Sequence, residues 1–128
     1  VVYYGNYLKF MERARSQWFI DTSVGMKALM EQHGLVFVVS RTELNYRRSA
    51  KLEDVLHVSV ELTELKRVSA VFRQVVRRDQ EVMCDGYTRV GCVSTTTLKP
   101  MAIPESIFNQ LNTLQAHTLS VIQPTTTE

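Results

Sequence analysis

Asn6-Tyr7-Leu8-Lys9-Phe10-Met11-Glu12-Arg13-Ala14-Arg15-Ser16-Gln17-Trp18 carries its apolar residues at helical spacing. Tyr7, Phe10, Met11, Ala14 and Trp18 recur at 3, 4, 7 and 11 steps, which is one stripe of an α-helix. Lys9, Glu12, Arg13, Ser16 and Gln17 fill the opposite side, so the helix lies with one face on a core and the other toward solvent. Asn6 is a residue type that caps helix starts.

Outward from this helix the period changes. Asp21-Thr22-Ser23 reads as a break and a new cap, followed by a short helix from Val24 to about Gln32 that ends at Gly34. Leu35 to Tyr46 opens with a continuous apolar run and then alternates through Leu44 and Tyr46, as a strand buried on both faces at one end does. In Val55 to Leu65, Leu56, Val58, Val60 and Leu62 point one way and His57, Ser59, Glu61 and Thr63 the other. Strands from Ser69 to Arg78 and Val82 to Ser94 follow, joined by a tight turn at Asp79-Gln80. A helix from Pro104 to about Gln115, with Pro in its first turn, is the last ordered element. The order implies an α+β fold in which a long helix is wrapped by a curved antiparallel sheet. Four strands leave two open edges, so a first strand ahead of Val1 and an edge-to-edge dimer are expected.

At 128 residues the chain is one domain, spanning residues 1–122, with 123–128 as a disordered tail. Its 45% apolar and 22% charged residues are those of a soluble globular protein, and no apolar run is long enough for a transmembrane span. A net charge of +2, from 15 basic and 13 acidic residues, argues against nucleic acid as a partner and makes any anion site local. Cys84 and Cys92 fall eight positions apart in one strand, roughly 26 Å at about 3.3 Å per residue, beyond the reach of a disulfide. Neither has zinc-ligand spacing to histidine or another cysteine, so no metal or other cofactor is expected, and a reduced cytoplasmic protein is the economical reading. Val1 is not a start methionine, which makes the N-terminus incomplete or processed.

Val1-Val2-Tyr3-Tyr4-Gly5-Asn6-Tyr7-Leu8-Lys9-Phe10-Met11-Glu12-Arg13-Ala14-Arg15 resembles the signature of the 4-hydroxybenzoyl-CoA thioesterase family, closest to its Tol-Pal-associated bacterial branch. There an Asp-Thr-Asp-Ala-Gly-Gly-like stretch leads into Val-Val-Tyr and then Phe-x-Glu-Arg-Ala-Arg. Leu98-Lys99-Pro100 and Ile103-Pro104 resemble the end of the last strand and the entry to the C-terminal helix. Ala50 to Asp54 and Lys66 to Ser69 fall at the strand-joining turns. The resemblance implies a hotdog fold, a homodimer or homotetramer, and hydrolysis of an acyl-CoA thioester to a free acid and CoA. The family's essential aspartate precedes the Val-Val, a position ahead of Val1, so the chain as given is expected to lack thioesterase activity. Tyr4 departs from the His usual in the Tol-Pal branch and matches the Tyr of the 4-hydroxybenzoyl branch.

A thioester carbonyl gains negative charge when attacked, and a helix start offers unpaired N–H groups and a positive dipole end. By resemblance, the Tyr4 N–H polarises that carbonyl, Gly5 permits close approach and Asn6 completes the catalytic turn. The tyrosines could equally be core or interface aromatics, and Asn6 an ordinary cap. Lys66, Arg67 and Ser69, with Lys99 as a weaker member, are the CoA-binding candidates, against the alternative of a solvated basic turn. Arg13 and Arg15 read as structural partners of carboxylates ahead of the alternative of ligand contact, and Arg47-Arg48 and Arg77-Arg78 as solvated turn charges. His33, His57 and His117 have no nearby nucleophile or ligand set and read as surface or strand-face residues. The alternative function is a non-catalytic scaffold that holds an acyl group or acyl carrier protein at the cell envelope.

Overall fold

The computed structural model describes residues 4–51, 54–115 and 118–124. Helix α1 (Tyr4–Asp21) is followed by α2 (Met26–His33), β1 (Leu35–Tyr46), β2 (Val55–Leu65), β3 (Ser69–Arg78), β4 (Glu81–Ser94), α3 (Glu105–Leu114) and β5 (Thr118–Pro124). The strands form one antiparallel sheet in the order β1-β4-β3-β2-β5. The expected stripe of α1 is its buried face: Tyr7, Phe10, Met11, Ala14 and Trp18 all lie in the core. They meet Leu56, Val58, Val60 and Leu62 of β2, each fully buried, and Phe72 of β3, whose ring meets Trp18 edge-on at 5.1 Å. Full burial of one such side chain contributes about 1.5–3 kcal/mol, so this stripe is what holds the helix on the sheet.

Three elements differ from the sequence reading. The helix already runs at Tyr4, so Asn6 lies within its first turn and is not its cap. Ser23 adopts a left-handed φ of 60° and the short helix is capped by Gly25 without a side-chain hydrogen bond. Thr22 is turned back instead, its hydroxyl donating to the Trp18 carbonyl at 2.7 Å. The third difference is β5, which pairs with β2 from Val55↔Pro124 to Glu61↔Thr118 and closes one of the two edges that four strands leave open. Its signal in the sequence is the alternation of Leu119 and Val121 in a segment too short to stand out. Gln123 and Pro124, expected in a disordered tail, are its last residues; 125–128 lie outside the described residues. Among the described residues no helix is long and apolar enough to cross a membrane.

Candidate active site

With α1 starting at Tyr4, the N–H groups of Tyr4, Gly5 and Asn6 fall in its first turn, where no intrahelical acceptor exists. No acidic side chain occupies that turn, so the positive end of the helix dipole is not neutralised from within the helix. One residue on, Tyr7 anchors this end. Its ring is fully buried, packs on Phe10 and Tyr46, and its hydroxyl donates to the Arg48 carbonyl at 2.8 Å. Burial pushes its ionisation up to about 12.

Farther along α1, Arg15 makes a contact that the sequence reading assigned wrongly. Its guanidinium finds two neutral groups in place of a carboxylate, donating to Gln74 Oε1 at 2.8 Å and Thr88 Oγ at 3.2 Å. Gln74, 1% exposed, donates in turn to the Met11 carbonyl at 2.9 Å. Desolvation pulls the Arg15 pKa down, with the charge of Glu12 opposing. The cluster spans α1, β3 and β4 and was hidden because its members are 59 and 73 residues apart in sequence. Beside it a groove of about 330 Å³ runs between α1 and β1, lined by Leu8, Lys9, Glu12, Arg15, Val39 and Thr42.

Asp21, Asp54, Asp79 and Asp85 are all committed or placed elsewhere. Asp21 accepts from Gln17 at the far end of α1, and Asp79 forms the β3–β4 turn with a φ of 54°. Asp54 accepts from the Lys51 N–H at 2.7 Å and from Arg78 at 2.9 Å, contacts that hold its carboxyl below the usual range. Asp85 lies 3.2 Å from Arg47 and 3.9 Å from Arg73. Three of the four turn arginines are therefore paired where solvation was expected: Arg47 with Asp85, Arg48 with Glu81 at 2.5 Å, and Arg78 with both Asp54 and Glu81, while Arg77 makes no ion pair among the described residues. His33 and His57 are exposed, and His117 lies outside the described residues.

The other candidates gather at one end of the sheet by backbone hydrogen bonds. Lys66 N–H donates to Ser69 O at 2.8 Å, Ile103 N–H to Arg67 O at 2.9 Å and Ser94 N–H to Lys99 O at 3.0 Å. Their side chains diverge. Lys66 pairs with Glu64 at 3.7 Å; Arg67 faces a groove with Ile103, Glu105 and Phe108; Ser69, almost fully buried, lines another with Arg41 and Arg89.

A long helix laid on a curved antiparallel sheet is the layering that the resemblance implied. The family model "Thioesterase superfamily" matches residues 1–84. The chain belongs to the thioesterase superfamily. Among its relatives in that superfamily, "Acyl-CoA thioesterase YbgC" of Haemophilus influenzae is 34% identical over 107 residues, covering 84% of this chain and 79% of the relative. "Long-chain acyl-CoA thioesterase FadM" of Escherichia coli is 31% identical, covering 82% and 80%. Of solved structures, a probable thioesterase from Bartonella henselae superposes with a TM-score of 0.72 at 26% identity, covering 81% of this chain and 86% of that one. A DHNA-CoA thioesterase from Staphylococcus aureus, at a TM-score of 0.76 and 22% identity over 89% and 80% of the two chains, shares the fold. This thioesterase-superfamily chain thus has the expected hotdog architecture, with α1 as the central helix.

Proposed function

We propose that this protein is an acyl-CoA thioesterase, hydrolysing an acyl-CoA thioester to a free carboxylic acid and CoA. The observation that carries the reading is the first turn of α1, which holds no acidic residue, in a chain whose relatives include named acyl-CoA thioesterases. In this reading the Tyr4 N–H holds the thioester carbonyl as it gains charge, Gly5 keeps the approach open and Asn6 extends the donor turn. Attack requires a general base or nucleophilic carboxylate, and the motif resemblance puts that aspartate just ahead of the Val1–Arg15 signature. The acyl group lies in the groove between α1 and β1, and Lys66, Arg67, Ser69 and Lys99 contribute to holding CoA. The test is release of free thiol from short-chain, long-chain and aromatic acyl-CoAs by the full-length protein. Turnover of at least one is expected, and background rates with all of them would overturn the reading.

The remaining assignments follow from the same reading. The thioesterase domain spans residues 1–122 and is extended by the end of β5. The protein is a homodimer or homotetramer, supported by β1, which pairs with β4 on one side and presents Val38 and Val39 exposed. A cytoplasmic, Tol-Pal-associated role, with acyl carrier protein as a further donor of acyl groups, is supported by the motif resemblance and by two free, buried cysteines.

A further inference from the structure

The groove between α1 and β1, in which the acyl group lies in the reading above, is poorly matched to a plain alkyl chain. Leu8 and Val39 are the only apolar residues among the seven that line it; the other five carry charges or hydroxyls. Its floor holds an excess of hydrogen-bond donors. Arg15 uses Nη1 for both of its hydrogen bonds, to Gln74 Oε1 and Thr88 Oγ1, and its Nε and Nη2 groups have no acceptor among the described residues. Thr88, 2% exposed, accepts from Arg15, and its own hydroxyl proton has no acceptor among them either. The one carboxylate whose charge reaches this desolvated guanidinium belongs to the exposed Glu12, one turn back along α1. With Lys9 on the same wall, the groove carries one net positive charge. A desolvated cation without a counter-ion costs free energy, and a carboxylate brought by a ligand offsets that cost through charge-assisted hydrogen bonds. Position fits the same ligand. Arg15 lies eleven residues beyond Tyr4, about 16 Å along the helix, and its side chain leans back toward the helix start. The charge therefore stands at the far end of a medium-length acyl chain whose carbonyl is held at Tyr4. Val39 and Thr42 belong to the edge strand assigned to a second copy, whereas the donors of the floor come from α1 and β4 of this chain.

We propose that the acyl chains this protein hydrolyses end in a carboxylate, and that Arg15 binds that carboxylate with Thr88 as a second donor, selecting ω-carboxyacyl-CoA over alkanoyl-CoA of the same length. Selection of this kind rests on the acyl-CoA reading above, and matched substrates test the two separately. Thiol release by the full-length protein is measured with adipoyl-, suberyl- and sebacoyl-CoA against hexanoyl-, octanoyl- and decanoyl-CoA. In wild type, kcat/KM for the diacid thioester is expected to exceed that for its alkanoyl partner by about tenfold or more at the best length, because the alkanoyl chain leaves the buried donors unpaired. That ratio is expected to fall to about one in Arg15→Gln, and to lie between the two in Arg15→Lys, which keeps the charge and loses the planar fork. Glu12→Gln, on the exposed face of α1, removes the competing carboxylate and is expected to raise the ratio, a readout that stands even if the Arg15 variants fail to fold. A wild-type ratio of about one or less at every length, an equal loss of both substrates in Arg15→Gln, or a ratio that does not rise in Glu12→Gln would overturn the inference, while turnover of alkanoyl-CoA would keep the catalytic reading. No hydrolysis of either class would overturn both.

Discussion

Tyr7 ties the start of α1 to the segment after β1 through one hydrogen bond, and its neutral form is the one the core accepts. An ionisation raised from 10.0 to about 12 contributes stability that is fully present below the unfolded pKa and is lost as pH rises through the folded one. Cys84, pushed by burial to about 12, acts in the same direction. Thermal stability should therefore fall between about pH 9 and 12, and Tyr7→Phe should make that fall shallower while lowering Tm at neutral pH; parallel melting curves against pH for the two proteins would contradict this. Arg15 presents the opposite case, a charge held by neutral partners. Replacing it with Met strands Gln74 Oε1, and a loss of about 1–3 kcal/mol is expected in urea unfolding, whereas an unchanged midpoint would mean that the cluster is not coupled. The sequence shows that Tyr7 faces the core, because helical period alone decides it. The partner of Arg15 depends on which strand lies beneath the helix, which no local pattern contains.

The elements were the most legible level. β1, β2 and β3 begin and end where alternation begins and ends, and β4 starts one residue before its expected Val82. β5 escaped because its backbone pairing with β2 decides its conformation more than its own composition does. Register has a similar origin. Gly86 faces Leu44 in β1, and a Cβ there would overlap the Glu43 carbonyl oxygen, which is backbone and cannot step aside. Gly86→Ala should thus cost about 3 kcal/mol or more and expose the β1 amides to exchange ahead of those of β2 and β3. Uniform protection across the sheet in the variant would contradict the close approach.

For the whole molecule, the helix-on-sheet layering leaves β1 as an edge of 12 residues covered by nothing described. Sedimentation of the full-length protein is expected to give twice or four times the mass of one chain, and Val39→Lys to shift it toward the monomer; a monomer at micromolar concentration would contradict the edge pairing. Fold and family were readable because a helical stripe, alternating strands and a motif of contiguous residues are local patterns. The CoA-binding candidates were readable only as a basic turn, and their division among separate grooves follows from the loop that packs against it. The central claim is that a backbone N–H at the start of α1 stabilises the charge that develops on a thioester. Tyr4→Pro removes that donor at the first helical position, where proline is tolerated, and Tyr4→Ala keeps it. In thiol-release assays on the full-length protein, kcat should fall by about 10²–10³ for Tyr4→Pro with Tm nearly unchanged, and stay within about fivefold of wild type for Tyr4→Ala. Full activity in Tyr4→Pro, or an equal loss in both variants, would contradict the account.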